Sequence, residues 1–409
     1  MKNFIFLLII LSGLFFGTKL IRRLLYELLR KGPYRVQKGD AVISAVSAGF
    51  SPRFFFKNDR WIFLTSEGRG SSAVHRLEEK GFRKCFETAG RFSALPLILG
   101  ESICCVCDDR LEYYESGKLK WKGPVKKSII SSRHISPGID ESFLYFPESV
   151  LAGKKKTMRG TESDQAPCIK RFDISDGRLD MALPLTDFTR SRWGAVGGCD
   201  TNLVFDGSYF YAGIQSGYLY KIEKKTFMVK WSLKLPGGSR AQAYKSRTDF
   251  DFDPIIDRRN VYFGFNGMLA AADKETGEIK TRINYFQDPG SAVPARGHIY
   301  FSSMGSIYRL NTDTLESERF FAFDKKYIYL SAAGENMIAA LATNRRPTMK
   351  RLFTKHDGLL CLIRLSDSSP VFELRIHNIG NPDIIFHKNK IAVLDQDNRV
   401  ILADITGAI

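Results

Sequence analysis

The chain has 409 residues, of which 44% are apolar and 12% aromatic, ample for a packed core and, with 31 Phe and 16 Tyr, weighted towards strands. Its formal net charge of +17 implies attraction to anionic partners: a membrane surface, an anionic polysaccharide, nucleic acid or an acidic protein face. The seven cysteines (Cys85, Cys104, Cys105, Cys107, Cys168, Cys199 and Cys361) are irregularly spaced and contain no CxxC pair, which excludes a zinc ribbon or a thioredoxin-like site and suits a reducing compartment.

Residues 4–16 (FIFLLIILSGLFF) carry no charge and follow Lys2. The run is shorter than the roughly 20 residues of a spanning helix, but Lys19 can snorkel and Leu20 and Ile21 extend the apolar character. No A-x-A-like cleavage site follows, and Leu14 stands where a lipoprotein signal needs cysteine, so an uncleaved signal anchor is expected. Apolar residues at helical spacing over 20–29 predict an amphipathic helix that ends at Gly32-Pro33. Residues 1–33 thus form an anchor unit. Its basic flank (Lys19, Arg22, Arg23, Arg30, Lys31) favours a cytoplasmic position under the positive-inside rule.

Beyond residue 34 the chain repeats a phrase: aromatic strand, glycine, apolar strand, polar turn, third strand. Residues 209–233 (YFYAGIQSGYLYKIEKKTFMVKWSL), 260–283 and 298–321 show it most plainly. Self-similarity at about 40–50 residues marks four-stranded blades, and so an all-β propeller. Strand and turn signals divide the chain near residues 90, 124, 186, 238, 289, 326 and 380, giving eight blades, with seven as the alternative. The last unit shows only three strands. Residues 36–46 (VQKGDAVISAV) are expected to supply its fourth, closing the ring and removing two open edges.

Residues 271–280 (AADKETGEIK) match the ALDxxTGKxxW hallmark at Ala272, Asp273, Thr276 and Gly277, with Lys280 falling short of the aromatic position. Thr226 and Trp231 keep parts of it in one blade, Gly117, Lys118 and Trp121 in another, and Asp173, Asp176 and Gly177 in a third. Over residues 34–409 the chain therefore resembles the PQQ-like, quinoprotein-type propeller repeat family. Gly-His and Trp-Asp pairs of the WD40 type are absent. In physical terms the motif is a tight turn, with Asp or Thr bonding the backbone, Gly at positive φ, and a following Trp packed between blades. It does not imply bound quinone.

The resemblance opens two functions. Quinoprotein dehydrogenases of this fold hold PQQ and Ca²⁺ and oxidise alcohols or sugars. The non-enzymatic branch, which includes the propeller scaffold of the outer-membrane β-barrel assembly machine, binds proteins in the cell envelope, and it implies a periplasmic or envelope-facing propeller. This orientation conflicts with the positive-inside reading. For the enzyme there is one hint, Cys104-Cys105, since some such enzymes carry adjacent cysteines as a strained disulfide. Here the pair sits in SICCVC, a buried strand on which adjacent side chains diverge. No Ca²⁺ ligand set, HExxH, GxSxG or P-loop can be assigned. Asp249, Asp251, Asp253 and Asp257 lack the glycine and distal glutamate of an EF-hand and read as structural.

Binding has better material. Two insertions between strands are expected to form basic loops: residues 150–165, with Lys154, Lys155, Lys156 and Arg159, and residues 344–356, with Arg345, Arg346, Lys350 and Arg351. Smaller clusters lie at Lys126-Lys127, 190–193 and 245–247. Arg forks and Lys charges at these positions suit carboxylates or phosphates. The expectation is a non-catalytic, membrane-anchored scaffold with no cofactor. It would bind a protein partner in a membrane complex, or an anionic lipid or polysaccharide surface. Nucleic acid fits least, because aromatic interleaving is weak.

Overall fold

Each middle strand of the repeat is apolar on both of its faces, and that requires a neighbour on each side. In the second strand of one repeat, Asn260–Phe265 (NVYFGF), all six residues are buried, as are all seven of Met337–Thr343 (MIAALAT). Fourth strands alternate instead: Ile279–Asn284 (IKTRIN) shields every second residue, as expected of a rim strand with one wet face.

These strands assemble into eight sheets arranged as an eight-bladed propeller, seen here in a computed structural model. It describes residues 34–406 apart from 40, 51, 59, 79–80, 109, 126–134, 141, 158–159, 186–198, 215–216, 236–249, 266, 285–290, 326, 333, 345–356, 378 and 396. Blades 1 to 8 span residues 52–89, 97–124, 138–184, 204–234, 250–284, 292–322, 327–376 and 379–404, each an antiparallel meander. The expected anchor over residues 1–33 lies outside the described residues. Among the described residues no helix is long and apolar enough to cross a membrane.

Eight hydrophobic clusters among the described residues correspond to the eight blade junctions. Phe63, Val74 and Phe86 of blade 1 meet Cys105 of blade 2; Tyr145 of blade 3 meets Phe210 and Tyr220 of blade 4. The ring shuts where Phe55, Ile62 and Leu64 of blade 1 pack on Ile385, Ala392 and Val400 of blade 8. Eight junctions exclude the seven-bladed alternative.

The N-terminal segment divides between two blades. Val42–Ser47 pairs antiparallel with Arg399–Asp404, from Val42↔Asp404 to Ser47↔Arg399, as the fourth strand of blade 8. Tyr34–Lys38 instead pairs with Pro370–Ile376, making blade 7 five-stranded. Between them Gly39, at φ +79°, crosses so close to the Val371 carbonyl that a Cβ would sit 2.5 Å from it. One strap therefore covers the rims of the last two blades.

The expected loop over 150–165 is different in kind. Phe143–Thr157 and Gly160–Asp173 pair from Phe143↔Asp173 to Thr157↔Gly160, with one bulge between Leu151 and Gly153, so the insertion is a long β-hairpin projecting from blade 3. Local pairing satisfies its backbone groups, which a polar composition did not advertise.

Candidate functional site

A meander fixes which connections share a face. In every blade, the turn joining strands two and three and the connector to the next blade lie at one end of the sheet; the remaining turns lie at the opposite end, one of them missing in blade 8, whose fourth strand is Val42–Ser47.

The second face is built from acids used as turn acceptors. In blade 5 the Asp273 carboxylate accepts from the N–H groups of Glu275 (2.9 Å) and Thr276 (3.0 Å), and Gly277 N–H donates to the Asp273 carbonyl (2.9 Å). Blade 3 repeats this with Asp173 and Gly177, and blade 6 with Asn311, which accepts from Asp313 and Thr314. Lys280 and these backbone donors hold the Asp273 carboxyl well below the usual carboxylate range. Gly277 and Gly177 take positive φ, at +76° and +73°. The same corner recurs without glycine at Phe227 (φ 56°), Leu315 (φ 59°) and Ser368 (φ 59°), a recurrence hidden from motif matching.

From each turn the next blade is gripped. The carbonyl just after the turn acceptor is Ile174, Lys224 and Lys274 in blades 3, 4 and 5. It receives Trp121 Nε1 at 2.7 Å, Arg171 Nη1, and both Lys221 Nζ (2.9 Å) and Trp231 Nε1 (3.2 Å), each from the preceding blade. Lys221 is almost wholly buried, pairs with Glu275 at 2.9 Å and lies over the Tyr209 ring. These residues are structural, in keeping with the reading of the motif.

The blade 3 hairpin, whose sequence includes Lys154, Lys155 and Lys156, runs out from the first face. Lys126-Lys127, 190–193 and 245–247 lie outside the described residues; the fourth strands that precede them, Lys118–Pro124, Leu179–Pro184 and Val229–Lys234, end at that face. Arg159, Arg345, Arg346, Lys350 and Arg351 lie outside the described residues. Of the strands on either side of 345–356 in sequence, Met337–Thr343 ends and Gly358–Arg364 begins at this face. Between Asn344 and Gly358 the sequence has five Lys or Arg against the single acid Asp357. Exposed Arg69, Arg91 and Arg110 lie at this face too, with the exposed acids Glu67 and Asp108 in the same turns.

Acids near the start of blade 5 are committed to neighbours. Asp253 accepts from the backbone N and from Nδ2 of Asn202, both at 2.8 Å, Asp251 accepts from Gly267 N–H, and Asp257 accepts from Arg259, Asn260 and Tyr262. Asp249 lies outside the described residues. These bonds agree with a structural reading. Cys104 and Cys105 face different junctions: Cys104 packs with Trp121 and Phe146, Cys105 with Val74 and Phe86.

One constellation was not anticipated. Among the described residues, ligand atoms of Cys105, Cys107 and Glu112 lie within 4.8 Å of one another at the junction of blades 1 and 2, all three buried. The two sulfurs are 3.7 Å apart. Glu112 Oε2 accepts from Thr88 Oγ1 and Tyr114 OH, each at 2.8 Å, while Lys122 Nζ sits 3.4 Å from Oε1. Burial pulls the Glu112 carboxyl up, but the two hydroxyls and Lys122 outweigh it, so the group stays below its ordinary value. The hydrogen bond with Cys107 and burial push the Cys105 thiol well up. The signal available in sequence was period-two spacing, Cys105-x-Cys107, opposite a lone acid on the next strand.

The class so defined is an eight-bladed β-propeller. No protein-family model and no curated protein matches the sequence. Solved structures do. BamB from Moraxella catarrhalis aligns with TM-score 0.59 at 13% identity, covering 90% of this chain and 100% of that one. The computationally designed Ika8 protein aligns at 0.56 and 12%, covering 89% and 98%, and Sqt1 from Saccharomyces cerevisiae at 0.55 and 10%, covering 90% and 97%. At such identities the likeness is one of fold.

Proposed function

We propose that this chain is a non-catalytic scaffold, held at a membrane by its apolar N-terminal segment with the propeller in the cell envelope. It binds an acidic protein partner through its basic insertions. One observation carries the reading: the two longest basic insertions, residues 150–165 and 344–356, both fall between the second and third strands of their blades, the connections that share the first face. Surface connections on a rigid scaffold are where binding residues accumulate. The net charge of +17 supplies long-range attraction for a negatively charged surface.

The test is a pull-down of the tagged full chain from detergent-solubilised native membranes, alongside a variant with Arg345, Arg346, Lys350 and Arg351 changed to Gln. A stoichiometric protein captured by the wild type, released by salt and lost by the variant, is expected. Salt-insensitive capture equal in both would overturn the reading. A quinone absorbance in the purified protein would move it to the dehydrogenase.

A further inference from the structure

We propose that Cys105, Cys107 and Glu112 bind a thiophilic divalent cation, zinc by the fit of its ligand set, at the junction of blades 1 and 2. The first argument is comparison within the ring. Cys105 pairs across the sheet with Glu112, as Ala212 pairs with Tyr220 in blade 4 and Phe263 with Ala270 in blade 5. Cys107 corresponds to Ile214 and Phe265. Aliphatic and aromatic groups fill this place in blades 4 and 5, while in blade 3 it holds the ion pair of buried Glu148 with Lys170. The place therefore admits a polar cluster where its charge is compensated, and packing alone does not call for two thiols and a carboxylate there.

Geometry is the second. Strand alternation turns Cys105 and Cys107 to the same side. At Zn–S distances of about 2.3 Å the edge of a tetrahedron between two sulfurs is about 3.8 Å, against 3.7 Å observed. The corresponding S–O edge is about 3.6 Å, so the carboxylate closes by roughly 1.2 Å at most from the 4.8 Å bound. Thr88 and Tyr114 fix the carboxylate from behind, as outer hydrogen bonds do at metal ligands. The Thr88 hydroxyl, 3.9 Å from Cys107 Sγ, borders the fourth position.

Charge is the third. Binding releases two thiol protons to solvent, and two thiolates, one carboxylate and a divalent ion leave one negative charge, which Lys122 neutralises. The Lys122 side chain is 44% exposed, so the carboxylate lies one side chain from water and an ion has a route in. Two sulfurs in the set select zinc over magnesium or calcium. The inference does not depend on the scaffold reading.

The experiment uses the reduced, metal-stripped full chain in detergent. Cobalt titration should give one equivalent bound with a sulfur-to-metal charge-transfer band, displaced by zinc. X-ray absorption of the zinc form should show two sulfur neighbours at about 2.3 Å. Cys105→Ser and Cys107→Ser should lose the band, Cys168→Ser should keep it, and Thr88→Ala should bind about 10–100-fold more weakly. No uptake by the wild type, or zinc without two sulfur neighbours, overturns the proposal even if a variant fails to fold. So does a band that survives both serine substitutions.

Discussion

The indole Nε1 of Trp231 donates to the Lys274 carbonyl at 3.2 Å, and its ring covers Gly277, where a Cβ would lie 2.9 Å from the indole. One side chain thus reads both the hydrogen-bonding edge and the bare backbone of the next blade's turn. Trp121 does the same to Ile174 and Gly177 two junctions earlier. Trp121 is the more buried of the two, so Trp121→Ala should cost ~3–5 kcal/mol and Trp231→Ala less. Trp121→Phe, which keeps most of the apolar contact, should still cost about 1 kcal/mol for the lost hydrogen bond. Urea unfolding followed by circular dichroism measures this; equal losses for Ala and Phe would show that the ring contact is unimportant.

Ser368 occupies the corner that glycine holds in blades 3 and 5, at φ 59°. A left-handed backbone costs a non-glycine residue about 1–2 kcal/mol, and the extra unfolded-state freedom of glycine returns about 0.5–1. Ser368→Gly should therefore stabilise the protein by about 0.5–1 kcal/mol. Phe227→Gly, at the same corner of blade 4, should destabilise, because Phe227 is buried against Tyr145 and Phe210. Midpoints moving in the same direction would contradict the account.

Lys221 has two partners of unequal weight. Its ammonium bonds the Lys274 carbonyl and the Glu275 carboxylate, each at 2.9 Å, but Glu275 is 70% exposed. Glu275→Ala should cost under about 1 kcal/mol, in the range of screened pairs. Lys221→Ala should cost more, because it opens a cavity under Tyr209 and strips a carbonyl. A larger loss from Glu275→Ala would show that the ion pair, not the carbonyl, holds the junction.

Asp273 links these turns to pH. Lys280 and two backbone N–H groups lower its folded value, so on acidification the unfolded chain takes up the proton first. The stabilisation is whole above the ordinary carboxylate value near 3.9 and drains as pH falls below it. Asp173, Asp367 and Asp404 are lowered by their own local hydrogen bonds and act in the same sense. Urea midpoints should fall from pH 5 to pH 3, less steeply in Asp273→Asn; identical slopes would remove Asp273 from the effect.

The strap predicts graded truncations. Removing residues 1–38 takes away the fifth strand of blade 7 and should leave a soluble, less stable protein. Removing residues 1–47 also opens the edge of Arg399–Asp404, and ending the chain after Asp395 deletes that strand outright. Both of these should be insoluble, since each leaves long unpaired edges. Size-exclusion chromatography of soluble fractions decides it; a monomeric, folded product lacking 1–47 would show that the ring holds without this closure.

How much of this was legible beforehand varies by residue. Asp273, Thr276 and Gly277 announce their turn because the bonds that make it span five residues. Phe227 and Leu315 adopt that corner without its signature, because burial against neighbouring blades outweighs the left-handed cost. Likewise, residues 150–165 read as a loop by composition, yet pair with themselves.

Strand alternation, turn chemistry and the order of basic segments along the chain are local properties, and they were enough to establish a β-propeller and a cationic character. Two features required the assembled ring: the split of 34–47 between blades 7 and 8, and the meeting of Thr88 with Cys105, Cys107 and Glu112. Each depends on where distant strands end relative to one another. Short-range hydrophobic periods and turn bonds carry no record of that distance; ring closure sets it, when every blade must bury both faces at once.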